Sequence, residues 1–159
     1  MKGILLYFSG TGNTKFIANK IKEEFKKNGC EIESYSIEDK IDLKSLSFNY
    51  LILGFPKYFE YIPKIFMEYL EENLLVSKEE IKTMIFSTGK DKIKSDFNIL
   101  EKKLFEKNYK VIVTKNFQMP NSFTLSRGYK KNEQVSNNSL EEIRECVVNF
   151  LTDNYMNEE

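Results

Sequence analysis

The stretch KGILLYFSGTGNTKFIANKI (residues 2–21) sets three unlike pieces end to end. Residues 2–8, KGILLYF, are a short apolar run with no alternation, the pattern of a strand buried on both faces. Residues 9–14, SGTGNT, are six small hydroxyl, amide and glycine residues in a row. From Thr14 to Asn28 the apolar residues Phe16, Ile17, Ile21 and Phe25 recur at helical spacing, and Asn28-Gly29 stops the pattern. A surface turn needs one or two small residues. Six of them between a strand and a helix predict a surface that holds something. Main-chain N–H groups at a helix start are unpaired and lie at the positive end of the helix dipole. Gly10 and Gly12 let the backbone approach an anion, Ser9, Thr11 and Thr14 add hydroxyl donors, and Asn13 adds an amide. The expectation is a phosphate cradle that needs little side-chain charge.

Working outward, EIESYSI (31–37) alternates and predicts a second strand near the edge of a sheet. NYLILGF (49–55) is again continuously apolar. IPKIFMEYLEENL (62–74) predicts a helix with Pro63 near its first turn and Ile65, Phe66, Tyr69 and Leu70 on one face. KTMIFSTG (82–89) reads as the fourth strand, and SDFNILEKKLFEK (95–107) as a helix capped by Ser95 or Asp96. KVIVTKNF (110–117) reads as the fifth strand, and NSLEEIRECVVNFL (138–151) as a closing helix with a Ser139–Glu142 capping box. Strands alternating with helices predict an α/β fold, a doubly wound five-stranded parallel sheet with helices on both faces, as one domain over 1–159. The connection QMPNSFTLSRGYKKNEQVSNN (118–138) is polar and without a pattern of its own, a length that suits a lid or a docking surface. TDNYMNEE (152–159) is expected to fray.

The composition narrows the chemistry. With 41% hydrophobic residues, 13 Phe and 9 Tyr in 159 residues, the chain buries a real core. Its 24 basic and 24 acidic residues cancel, which argues against nucleic acid as a partner. There is no His, so the commonest general base and the commonest zinc ligand are missing. Cys30 and Cys146 have no CxxC spacing, so they build neither a thiolate zinc site nor an iron–sulfur cluster, and free thiols are expected. Lys2 alone precedes an apolar run that ends in a polar loop, unlike a signal peptide, and no stretch reaches the length of a bilayer span. A cytoplasmic protein is expected.

Two familiar phosphate loops do not fit. Lys15 follows Thr14 rather than a glycine, which departs from GxxxxGK[ST], and Gly10-x-Gly12-x-x ends at Lys15 rather than completing GxGxxG. A compact site for one terminal monophosphate remains. SGTGNT after an apolar strand resembles the phosphate loop of flavodoxins, and the element order and length of the whole chain fit the same family. The resemblance implies a sheet order of 2-1-3-4-5, FMN as cofactor, and Ser9, Gly10, Thr11, Gly12, Asn13 and Thr14 as phosphate ligands.

The same resemblance implies a flavin ring lying across the ends of the third and fourth strands. Gly54-x-Pro56-x-Tyr58, with Pro63-Lys64 downstream, is similar to the corresponding loop in flavodoxin domains of anaerobes. Pro56, Lys57, Tyr58 and Phe59 are therefore ring-side candidates, Tyr58 as the stacking residue with Phe59 and Tyr61 behind it. Ser87, Thr88, Gly89 and Lys90 occupy the second flavin loop, whose N–H groups would meet the pyrimidine carbonyls. Lys57 or Lys90 near N1 would favour the anionic reduced ring, although either is equally read as a solvated surface charge. Met119 and Asn121, in a Met-Pro-Asn segment similar to one in ferredoxin-fused relatives, would shape the ring pocket or a docking surface.

Three departures qualify the resemblance. The chain is neutral where flavodoxins are strongly acidic, so a docking partner would be recognised differently. The loop FPKYFEY lacks the glycine whose peptide flips to accept the N5 proton, and there is no Trp to cover the second ring face. The expected function is FMN-dependent electron transfer to and from redox partner proteins, a separate ferredoxin or reductase among them. The alternatives are an FMN-dependent NAD(P)H or quinone-type reductase, and a flavodoxin-fold binding module that has lost its cofactor.

Overall fold

A computed structural model describes residues 1–10, 12–57, 61–89, 97–118 and 137–156. Five strands, β1 (Lys2–Tyr7), β2 (Glu31–Ser36), β3 (Tyr50–Pro56), β4 (Ile81–Gly89) and β5 (Tyr109–Gln118), alternate with helices. Among the described residues the helices are α1 (Asn13–Lys27), α2 (Lys64–Asn73), α3 (Phe97–Glu106) and α4 (Asn137–Leu151). Every strand pair is parallel, and the order is β2-β1-β3-β4-β5, the doubly wound α/β sheet that the sequence predicts.

Burial explains the two kinds of strand pattern. Every residue of β3, a central strand, is buried, whereas β2 at the sheet edge is mostly half-buried. On one face Leu5, Ile52, Met84, Phe86 and Phe117 pack with Ile17, Ile21 and Phe25 of α1 and Ile143, Val147 and Phe150 of α4. On the other, Ile4, Leu6, Leu53, Phe55 and Ile85 pack with Phe66 and Leu70 of α2 and Phe97, Leu100 and Leu104 of α3. Both faces are covered, as an all-parallel sheet requires. Gly54 has a packing reason of its own: a Cβ there would run into the ring of Phe86, which lies across it.

The local signals act as their chemistry dictates. Helix α1 ends in a Schellman motif: Gly29 has φ 79°, its N–H donates to Lys26 O at 3.0 Å, and Cys30 N–H donates to Phe25 O at 3.0 Å. The link between β2 and β3 carries two 3₁₀ turns, Ile37–Asp39 and Leu43–Ser45, the first capped by Ser36. Two expectations need correction. Helix α4 begins at Asn137, so Ser139 already lies inside the first turn and is not its cap. The tail does not fray over its whole length, because its backbone pairs with β5. Met156 N–H donates to Ile112 O at 2.9 Å, and Thr114 N–H donates to Met156 O at 2.8 Å. Asp153 holds the bend with a 2.7 Å ion pair to Lys82, whose ammonium lies 5.3 Å from the Tyr50 ring centre and 5.1 Å from that of Phe150. Residues 157–159 lie outside the described residues.

Candidate functional site

Because all five strands are parallel, the segments that follow β1, β3 and β4 leave from one edge of the sheet. The chain order reverses there, since β2 lies on one side of β1 and β3 on the other. Helices α1 and α2 therefore start on opposite faces, and the crevice between their starts is where open α/β sheets bind ligands.

The six-residue loop is held in place at both ends. Phe8 N–H donates to Gly54 O at 3.0 Å, which continues the β1–β3 pairing past the end of the strand. Gly12 caps α1 with φ 96° and ψ −14°, a left-handed conformation that glycine adopts without strain, and it brings no side chain of its own to the cap. Its carbonyl accepts the Phe16 N–H at 3.0 Å. The Ser9 hydroxyl oxygen accepts from Gly12 N–H at 3.1 Å and from Lys15 N–H at 3.2 Å. Two main-chain donors thus converge on a single oxygen at the positive end of a helix, the donor set that an oxyanion needs. Asn13 and Thr14 are buried beneath the loop, Ser9 is half-buried and Gly10 is exposed.

The second loop joins the first through side chains. Thr14 Oγ1 and Thr88 Oγ1 lie 2.8 Å apart in a buried hydroxyl pair that spans 74 residues of sequence. Thr88 O accepts the Lys57 N–H at 2.8 Å, and Pro56 stands opposite Thr88 in the β3–β4 register. Ser87, on the opposite face of β4, donates its hydroxyl to Asn116 Oδ1 at 2.7 Å. A Cβ on Gly89 would meet Lys57 and Asn116 only at 3.5–3.8 Å, so the protein's own packing does not demand glycine there.

Lys57 is no surface charge. It is 6% exposed, and its ammonium lies 4.4 Å from the ring centre of Phe97, at the start of α3. A cation–π contact this far from water is worth about 2 kcal/mol. Tyr7, the last residue of β1, has its phenol pushed up by burial and secondly by the carboxylate of Asp39, so it is protonated at neutral pH.

Of the residues that the sequence singles out, the structure brings Ser9, Gly12, Asn13 and Thr14 together with Pro56, Lys57, Ser87, Thr88 and Gly89, while Gly10 sits on the exposed side of the loop. Thr11, Tyr58, Phe59, Lys90, Met119 and Asn121 lie outside the described residues. Tyr61 is 71% exposed. Sequence reasoning missed Asn116, which is 4% exposed at the same sheet edge. Its signal is a single amide inside the otherwise plain strand KVIVTKNF. Among the described residues, no helix is long and apolar enough to cross a membrane, and no three His, Cys, Asp or Glu cluster as metal ligands.

Residues 4–136 match a family model described as a flavodoxin domain. No curated protein sequence matches the chain. Among solved structures, a flavodoxin from the domain Archaea superposes with a TM-score of 0.72 at 15% identity, over 96% of this chain and 97% of that one. The oxidised flavodoxin 1 of Bacillus cereus gives 0.69 at 18% identity over 96% and 98%. The two-electron-reduced flavodoxin of Megasphaera elsdenii gives 0.67 at 23% identity over 92% and 98%. At these identities the structural likeness speaks to the fold.

Proposed function

The chain belongs to the flavodoxin domain family, and from that premise we propose that it binds FMN noncovalently and carries electrons between redox partner proteins. The observation that carries the proposal is the convergence of the Gly12 and Lys15 N–H groups on one oxygen at the start of α1. A phosphate oxygen has the size and charge to take the same two donors, with the helix dipole behind them. The residues present fit the group. Ser9, Gly10, Thr11, Gly12, Asn13 and Thr14 would hold the phosphate, and Pro56, Lys57, Ser87 and Gly89, with the main chain of Thr88, would border the ring.

FMN, when bound, supplies the redox chemistry, and the protein positions it and sets its electrostatics. The Lys57 side chain, beside the end of β3, is held in the interior against the ring of Phe97. The Ser87–Asn116 and Thr14–Thr88 pairs fix the end of β4 to its neighbours, so the ring-side backbone is set before anything binds. Partners would be separate proteins, a ferredoxin or a reductase. Cys30 and Cys146 are both thiols with no disulfide between them, which suits a reducing cytoplasm.

The test is a visible absorption spectrum of the purified protein before and after addition of FMN, followed by stepwise anaerobic reduction. A shifted, protein-bound flavin spectrum is expected. A colourless protein that leaves added FMN unchanged refutes the proposal. Steady consumption of NAD(P)H with a quinone and no second protein would make the chain a reductase instead of a carrier.

A further inference from the structure

The expectation for the second flavin loop concerns its main-chain N–H groups, which leaves the side chain of Thr88 for another task. Successive residues of β4 face opposite sides of the sheet, so Ser87 turns toward Asn116 and Thr88 turns toward α1. There it meets Thr14 in the first turn of α1, with 2.8 Å between the two hydroxyl oxygens. Both residues are buried, Thr14 1% exposed and Thr88 3%. Thr88 is also held by its backbone, which sits in the ladder between β3 and β5 and accepts the Lys57 N–H at 2.8 Å. With a β-branched side chain on a fixed backbone, its hydroxyl has little freedom to turn away.

We infer that Thr88 is a positioning residue for the cofactor's phosphate, acting through Thr14, and that the pair makes this chain favour a phosphorylated flavin over riboflavin. The inference rests on the reading of the loop as the FMN phosphate site. Either hydroxyl can donate in the pair as it stands, because each is both donor and acceptor. An anion at the start of α1 removes that choice. If Thr14 O–H donates to the anion, its oxygen can only accept within the pair, so Thr88 O–H must donate to it. The result is a directed chain from Thr88 to Thr14 to the anion, in which each bond polarises the next. A charge-assisted bond at its end is the strongest member, and removing Thr88 weakens it without touching the ring.

The test compares Thr88→Val, which keeps the shape and removes the hydroxyl, with Thr88→Ser, which keeps the hydroxyl. For each variant and the wild type, dissociation constants for FMN and for riboflavin are read from quenching of flavin fluorescence, with thermal unfolding of the flavin-free protein alongside. In Thr88→Val the FMN constant should rise about 5- to 20-fold, the loss of one hydrogen bond to a charged chain, with the riboflavin constant within twofold. Thr88→Ser should keep the wild-type ratio of the two. If Thr88→Val weakens both flavins in parallel, Thr88 is only a packing residue, and if it weakens neither there is no link to the phosphate; both outcomes overturn the inference while FMN binding stands. Wild-type protein that binds neither flavin overturns the phosphate-site reading and the inference together. Should Thr88→Val fail to fold, Thr88→Ala reads the same ratio.

Discussion

Gly54→Ala is the sharpest probe of how the core supports the site. Three ring carbons of Phe86 would lie inside van der Waals contact of the added methyl. Phe86 is fully buried, and its ring meets that of Phe117 edge-on at 6.2 Å, so it has no room to retreat. Overpacking of this kind costs about 1–3 kcal/mol, while replacing a glycine returns about 0.4–1 kcal/mol by stiffening the unfolded chain. The net loss is about 1–2 kcal/mol, or roughly 2–8 °C in melting temperature for a chain of this size. Because Gly54 O accepts the Phe8 N–H, the strain falls on the exit of β1, and FMN affinity should drop as well. Urea and thermal unfolding of Gly54→Ala, Phe86→Leu and the double variant measure the clash directly. Leucine lacks the outer ring carbons, so the double variant should be more stable than the sum of the single losses by about 1 kcal/mol. A neutral Gly54→Ala, or strict additivity, would refute this account of the packing.

Two further outcomes test other parts of the molecule. Burial pushes the Tyr109 phenol up to about 12, so the folded chain keeps a proton that the unfolded chain releases near pH 10. Stability is therefore full below about pH 10 and falls as the pH rises toward 12, and Tyr109→Phe should flatten that limb of the pH–stability curve. The same variant loses the bond to Leu75 O and about 1 kcal/mol at neutral pH. An unaltered alkaline slope would show that other groups set it. Ending the chain at Thr152 removes the acceptor of the Thr114 N–H, and hydrogen exchange at that amide should then accelerate at least tenfold while amides of β3 hold their protection. Equal rates would mean that the tail does not pair in solution.

Where contacts are local, the sequence was enough. Continuous apolar runs marked the central strands, the alternation of EIESYS marked an edge strand, and Asn28-Gly29 marked the end of α1, because each depends on residues a few positions apart. The loop of glycines and hydroxyls was legible for the same reason. Three features of the site were not. The Thr14–Thr88 and Ser87–Asn116 pairs join residues 74 and 29 positions apart, and no period in a sequence records which hydroxyl meets which. The burial of Lys57 depends on Phe97 coming to lie beside its ammonium, which is again a matter of tertiary packing. The docked tail, polar and short, gains its order from Lys82 and the edge of β5 rather than from any propensity of its own.

An open parallel sheet has two free edges, and each is a template on which a second chain could pair and aggregate. This molecule guards them unequally. On β5 the backbone of Met156 takes up Ile112 O and Thr114 N–H, so a stranger would have to displace a segment of the chain itself. On β2 the protection is electrostatic: Glu31 and Glu33 stand along a short strand, and Glu33 accepts from the Tyr35 phenol at 2.7 Å and lies 3.6 Å from Lys2. Acid that protonates Glu33, or salt that screens both carboxylates, weakens the guard on β2 and leaves that of β5 in place. Self-association in acid should therefore begin at β2, at the opposite side of the sheet from the tail.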